Sequence, residues 1–467
     1  MKTKPRIRQN KDKLSYMENT PVGQLIWEMS APSIVGVLAY NAYNLFDTLF
    51  ISQWAGTAAV GGVSVSFPFF LFLSAVSSTV GSGAASVISR ELGGQNIERA
   101  AKTAANAFML FYASALFVTV FGLLFLDELL HMIGVTETLM PYARQYTGII
   151  LIGAVTSTGF SSLIRAEGSS RYAMLIWVIP LSANILLDLL FIFGLKMGVA
   201  GAALGTVLSQ CISMGMSFYY FFLSGRSRLH IQLKHFRPDM TLLREIVFIG
   251  FPSFLQLSGT SFSLIAANRF LRQYGDDLAI SVYGLVNKID VFFRFPVSGL
   301  IQGIQPIIGQ NYGAGKRNRV REIMKLSGVV TAAYGILICM ITAFCSPQLM
   351  RVFTSDSDVI TLGSHVLPPV MTEMLFLGMQ SLLTCYFQAT GRKAVSFLLV
   401  FCNQFLCFIP AAWILAALFG LSGIWYAFPV SAAVSLGITV CISYGHSLCM
   451  GNSGKCIIIH NCICCSI

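Results

Sequence analysis

Long runs of apolar residues, broken at near-regular intervals by short polar segments, dominate the chain. A helix rises about 1.5 Å per residue, so roughly 20 mostly apolar residues cross a hydrocarbon layer of about 30 Å. By that measure twelve runs span a membrane: 26–52, 58–84, 102–126, 141–164, 173–194, 198–223, 244–271, 278–308, 325–346, 361–388, 395–418 and 421–446. The pattern predicts an all-α polytopic membrane protein with about 12 transmembrane helices.

The polar segments give the orientation. Short cytoplasmic loops carry an excess of Lys and Arg. With the N-terminus inside, the tails and the even-to-odd loops hold 24 of the 31 Lys and Arg, including Arg226, Arg228, Lys234, Arg237 and Arg244 in one loop and Lys316 to Lys325 in another. The outer segments keep only Arg144, Lys196, Arg269, Arg272 and Arg351. Both termini are therefore expected in the cytoplasm. The first residues are polar and basic, with no short apolar core behind them, so no cleavable signal peptide is expected.

Composition agrees with the pattern. Of 467 residues, 55% are apolar and 11% charged, where a soluble domain carries about 25% charged residues. The mean hydropathy is +0.71. A soluble enzyme, a disordered scaffold and a secreted disulfide module are excluded. The net charge of +11 would suggest nucleic acid in a soluble chain; here topology accounts for it, and no nucleic-acid partner is expected. The partner expected from composition is the lipid bilayer. Most of the twelve cysteines lie inside apolar runs (Cys339, Cys385, Cys402, Cys407, Cys441), where Cys packs as a small hydrophobe. The tail cysteines Cys456, Cys462, Cys464 and Cys465 fit no zinc spacing.

The halves of the chain resemble each other. A shift of 220 residues places Pro32 on Pro252, Ala59 on Ala279, Gly83 on Gly303, Gly93 on Gly313 and Arg99 on Arg319. A shift of 222 or 223 places Gly168 on Gly391, Gly198 on Gly420 and Gly201 on Gly423. Six spans per half give the repeats the same orientation, an organisation common in secondary transporters. The expected division is a cytoplasmic N-terminal tail (1–25), an N-lobe (26–223), a cytoplasmic linker (224–243), a C-lobe (244–446) and a cytoplasmic Cys-rich tail (447–467).

Ionisable side chains inside spans are costly and mark function by default. Asp47 lies in span 1. Asp188 lies in span 5, with Asn184 four residues earlier on the same helix face. Lys288, Asp290 and Arg294 share span 8, and Glu373 stands alone in span 10. Two carboxylates with nearby amide and hydroxyl oxygens suit a hard cation such as Na⁺, or a shared proton; the same residues also suit structural hydrogen bonds between helices. Lys288 and Asp290, two apart, cannot pair on one helix face, and the span 8 group reads either as a structural network or as part of a site.

Other chemistries fail on spacing. The segment Gly309 to Lys316 resembles a phosphate loop, but Gln310 and Arg317 occupy the Gly and Ser/Thr places that a Walker A motif needs. No HExxH, GxSxG or DDxxD arrangement is present, and Gly81-Ser82-Gly83 lies inside a span, where close helix packing is the natural reading. No enzyme and no cofactor are expected.

Pro32 and Asp47 in span 1, the two six-span halves and the signature Gly303-Ile-Gln-Pro-Ile-Ile-Gly-Gln-Asn-Tyr-Gly-Ala-Gly315 resemble the multidrug and toxic compound extrusion family, and within it the DinF-like bacterial branch. The similarity covers roughly residues 20–446. It implies two parallel six-helix lobes of the MOP superfamily fold and export of cationic or amphipathic compounds in antiport with Na⁺ or H⁺ by alternating access. It also implies a monomer in a bacterial inner (plasma) membrane. In that branch a cation site uses Asp in span 1, Asn-x-x-x-Asp in span 5 and Thr in span 6, which fall here on Asp47, Asn184, Asp188 and Thr206. The Glu that other branches carry in span 7 falls near Thr260, which argues against coupling in the C-lobe. A lipid-linked oligosaccharide flippase of the same superfamily is the rival reading, kept open by Lys288 and Arg294 as a cationic match for a diphosphate.

Overall fold

The computed structural model describes residues 17, 19–156 and 160–451; at 43–45, 47–49, 52–60, 65–68, 70 and 444–451 the description is of the backbone alone. Among the described residues the regular structure is helical. In chain order the helices are α1 (Val22–Gly93), α2 (Ile97–Leu124), α3 (Leu126–Ile133), α4 (Met140–Ile152), α5 (Phe160–Ala166), α6 (Ser170–Asp188) and α7 (Gly198–Phe218). After the linker come α8 (Met240–Tyr274), α9 (Asp277–Gly313), α10 (Arg317–Arg351), α11 (Ser357–Met371), α12 (Met374–Ala389), α13 (Lys393–Phe401), α14 (Phe408–Phe419) and α15 (Leu421–Gly451).

Among the described residues twelve segments are long and apolar enough to cross a membrane, in the order the apolar runs predict. The largest departure in helix boundaries is α1, whose 72 residues take up the first two predicted spans without a break. A straight helix of that length would reach about 108 Å, over three times the hydrocarbon thickness. The Tyr40 hydroxyl, however, lies 2.8 Å from the Ser74 hydroxyl, 34 residues along the same run. The run therefore doubles back, and its two crossing segments are Val22–Ala42 and Leu71–Gly93.

Breaks elsewhere follow from the sequence. Pro368 and Pro369 remove two amide donors near the end of α11. The Ser346 hydroxyl donates to the carbonyl of Ser364, which Pro368 leaves without its helical partner, at 3.0 Å. α12 then restarts just after Glu373. Wider π turns occupy Leu189–Gly194, Tyr219–Leu223 and Cys402–Cys407.

By contact the chain divides into two compact units, Met1–Phe254 with Ser298–Val320 and Leu255–Val297 with Arg321–Ile467. The division runs through α8 and α9, and not through the linker at 224–243 where the sequence halves meet. Glycines explain why the first unit retains those helix ends. A Cβ on Gly83 would sit 2.0 Å from the Ile246 carbonyl oxygen, and one on Gly93 2.0 Å from that of Gln310. The backbones of α1, the start of α8 and the end of α9 meet where no side chain fits, which is the close packing expected of Gly81-Ser82-Gly83. The core of this unit joins Ala84, Ile88 and Leu92 of α1 to Ala104 and Phe108 of α2, Phe160 of α5 and Ile246 of α8.

The second unit packs Leu271 of α8, Val282 and Val286 of α9, Met371 of α11, Phe408 of α14 and Trp425 of α15 into its own core. Large apolar side chains are left outside both cores, among them Phe117 and Leu124 on α2, Phe344 on α10 and Trp413 and Leu418 on α14. Such surfaces suit lipid and would be unusual in water.

Candidate functional site

Asn184 and Asp188 sit one turn apart at the end of α6, and both are fully buried. Pro180 lies one turn earlier and removes a helical hydrogen bond there. The helix widens into a π turn directly after Asp188. Such turns often mark functional positions, because they interrupt the regular bonding of the helix around a side chain.

Opposite stands α7, which presents glycine. A Cβ on Gly205 would lie 2.3 Å from Oδ1 of Asp188 and 3.6 Å from Nδ2 of Asn184. One turn earlier, a Cβ on Gly201 would lie 3.0 Å from Phe191. The Gly201-x-x-x-Gly205 stripe thus brings α7 onto the carboxylate. Next to it, Thr206 and Ser209 are buried, and the Ser209 hydroxyl donates to the Thr206 carbonyl at 2.8 Å.

The structure therefore gathers three of the four expected coupling residues, Asn184, Asp188 and Thr206, on facing helices. The fourth, Asp47, is on the helical backbone of α1, and its side chain lies outside the described residues. Neither polar atom of the Asn184 amide has a hydrogen-bond partner among the described residues. A buried amide without partners is expensive. Its oxygen and the Asp188 carboxylate are hard donors of the kind Na⁺ takes, while the carboxylate alone suits a proton; Thr206 is buried on the facing helix. No cluster of three or more His, Cys, Asp or Glu suited to a metal occurs among the described residues.

A second buried polar group lies in the other unit. Asp290 and Arg294 are one turn apart on α9, with Arg294 Nε donating to Asp290 Oδ2 at 2.6 Å. Arg294 also donates through Nη2 to Oε1 of Glu373, at the break between α11 and α12. One guanidinium thus bridges two buried carboxylates, and Asp290 Oδ1 keeps no hydrogen-bond partner among the described residues. Lys288 is exposed and makes no ion pair among the described residues, so it stands apart from this group. Thr260 is exposed on α8, its hydroxyl donating to the Leu257 carbonyl.

A third node has no counterpart in the sequence reading. Glu167, buried just past α5, accepts from the Ser227 hydroxyl at 2.9 Å, the Arg228 amide at 2.7 Å and the Tyr220 hydroxyl at 3.4 Å. It ties the start of the linker to the first unit. The available signal was an acid standing alone in a basic loop before Gly168, whose φ of 87° suits glycine.

Comparison with known proteins matches this architecture. A family model described as MatE matches twice, over residues 32–190 and 252–414. The matches begin at Pro32 and Pro252, the pair that the internal repeat superposes. The multidrug export protein MepA of Staphylococcus aureus is 27% identical over 439 residues, covering 93% of this chain and 96% of that protein. MepA of Staphylococcus haemolyticus is 27% identical over 441 residues, with the same coverage. Among solved structures, an outward-facing conformation of a multidrug resistance MATE family transporter of the MOP superfamily superposes with a TM-score of 0.88 at 22% identity, covering 93% of this chain and 98% of that one. That last likeness is one of fold. With its family model matched once in each half, the chain belongs to the MatE family of multidrug and toxic compound extrusion proteins.

Proposed function

We propose that this protein is a secondary active exporter of cationic and amphipathic small molecules, exchanging them for Na⁺ or H⁺ by alternating access. The observation that carries the export reading is the end-to-end likeness to proteins named for multidrug export, at 93% coverage of this chain. Its setting is the plasma membrane of a bacterium, with both termini in the cytoplasm.

The coupling site of this reading is Asp47, Asn184, Asp188 and Thr206. A cation drives a conformational change only by as much as it binds one state more tightly than the other. The pair on α6 supplies a means: Asp188 is buried against Gly205, and the Asn184 amide needs a partner. An ion or proton arriving there changes the charge of a site from which water is largely excluded, where electrostatic differences are large. Asp290, Arg294 and Glu373 form a secondary polar site, acidic on balance. That balance weakens the flippase reading, since Arg294 is already held by two carboxylates and does not offer a bare cation to a diphosphate.

Efflux of ethidium from vesicles, with Na⁺ and pH gradients imposed separately, tests the proposal. The wild type is expected to export under at least one gradient, and Asp47→Asn and Asp188→Asn are expected to lose export while still inserting. Full export by both variants would remove the coupling site. No efflux under either gradient, from inserted protein, would remove drug export itself.

A further inference from the structure

Near the linker the first unit carries a pair of adjoining cavities that coupled export does not use. The outer one, about 580 Å³, is lined by the charged residues Glu98, Lys102, Lys234, His235, Arg237 and Asp239, together with Pro238 and Met240. The inner one, about 360 Å³, is lined by Phe108, Met109, Tyr112, Phe218, Phe222 and Phe236. Consecutive linker residues divide between them, His235 and Arg237 facing the first and Phe236 the second.

Helix α2 runs through both. Glu98, Lys102, Met109 and Tyr112 follow one another at three, four or seven residues and so share one helix face. Seven residues separate Lys102 from Met109, an axial drop of about 10 Å. The same face continues to Leu116 and Val120, both exposed apolar residues. A charged mouth thus opens above an apolar trough pointing down the span. The Tyr112 hydroxyl, buried and without a hydrogen-bond partner among the described residues, is the one polar side-chain group in that trough.

The mouth has a positive excess. Lys102 pairs with Asp239 at 2.7 Å, and Lys234 and His235 share Glu98 at 3.1 Å each. Arg237 makes no ion pair among the described residues and is exposed. Exposed pairs of this kind contribute little, so Lys234 can exchange Glu98 for a stronger anion at small cost. Leu233, 91% exposed, and Met240 flank these cations with apolar surface. Apolar and basic side chains alternating at the end of a span are the chemistry of a membrane interface.

We infer that this pair of cavities holds an anionic phospholipid, with its phosphate at Lys234 and Arg237 and an acyl chain among Phe108, Phe222 and Phe236. The assignment shares one premise with the proposed function, the cytoplasmic side of the linker, where the leaflet is negatively charged. The bound lipid fastens the linker to the membrane through Phe236.

The full-length protein, purified in neutral detergent, is titrated with phosphatidylglycerol or phosphatidylcholine, and bound lipid is counted by native mass spectrometry. Phosphatidylglycerol is expected to bind at least tenfold more tightly. The double variant Lys234→Gln, Arg237→Gln is expected to lose that preference while binding phosphatidylcholine as before, and Met109→Trp, which fills the trough, to weaken both lipids. Equal affinity for the two lipids, or an unchanged preference in the double variant, overturns the assignment. Inorganic phosphate is the control for a soluble anion: protection from thermal unfolding equal to that by phosphatidylglycerol would show a phosphate site and overturn the lipid. A phosphatidylglycerol with a photoreactive chain tests the wild type directly, with label expected on the segments around Phe222 or Phe236; label confined elsewhere overturns the assignment. None of these readouts involves transport, so loss of drug export would leave the result standing.

Discussion

Gly205 sets how closely α7 approaches the carboxylate of Asp188. Any Cβ there would fall 2.3 Å from Oδ1, well inside van der Waals contact, and the carboxylate would have to turn away. Gly205→Ala is therefore expected to reduce ion-driven efflux by an order of magnitude or more while the protein still inserts and runs as a single species; wild-type efflux would show that the carboxylate needs no such approach. Arg294 presents the opposite case, a charge that two acids require. Removing one partner of a buried ion pair costs about 3–5 kcal/mol because the charge left behind has no compensation. Arg294→Met should lower the midpoint of thermal unfolding in detergent clearly more than Glu373→Gln, which leaves the Asp290–Arg294 pair in place; equal shifts would mean that the cluster is not held by its guanidinium. The sequence showed all three of these residues but not their meeting, because Arg294 and Glu373 are 79 positions apart and no local period links them. Asn184 and Asp188, one turn apart, were legible as a pair. Gly205 was not, since one glycine among the many of a membrane helix carries no sign of which neighbour needs its space.

Elements begin and end for reasons that differ in how plainly the sequence states them. Asp239 caps α8, its Oδ1 accepting from the amides of Thr241 at 3.0 Å and Leu242 at 3.3 Å. The hydrogen bond from Lys102, and after it these amides, hold its carboxyl below the usual aspartate range. A depressed carboxyl stabilises the fold above its unfolded pKa, and the gain is lost as pH falls through the folded value. From pH 7 to 5 this group should add no slope to stability, and its contribution should fade only below about pH 4. Asp239→Asn is expected to lack that acid-side loss and to match the wild-type slope between pH 5 and 7, as read by thermal unfolding at each pH. Helix contacts through glycine give a sharper expectation. Gly83→Ala places a Cβ against the Ile246 carbonyl, which is backbone and cannot rotate aside. Overpacking of this sort typically costs about 1–3 kcal/mol, so the variant should unfold at a lower temperature than Gly437→Ala, where a Cβ meets nothing within 4 Å. Apolar length marked these elements well. It did not show that α1 doubles back without a break in helical bonding, nor where the π turns fall, because both depend on packing partners far along the chain.

At the scale of the molecule, the strongest statement in the sequence is the distribution of its positive charge. The +11 net charge is concentrated in tails and alternate loops, and the +11 would mean something else in a chain without twelve apolar spans. Charge bias in short loops sets orientation during insertion, and it ties the 220-residue repeat to topology: with six spans in each half, equivalent loops of the two halves fall on the same side. Arg99 and Arg319 head equivalent helices, α2 and α10, and belong to one face of the membrane by this argument. The loop between α10 and α11 belongs to the other face. Asn318 and Ser355 are exposed residues of those two regions, which makes them clean reporters. A membrane-impermeant maleimide should label Ser355→Cys in intact cells above the level of the parent chain, and should label Asn318→Cys only once the membrane is opened. The reverse pattern would invert the protein and put the linker, with Lys234 and Arg237, outside. Labelling of both in intact cells would contradict the twelve-span count, because an even number of crossings between the two sites would then be required, whereas α10 supplies one.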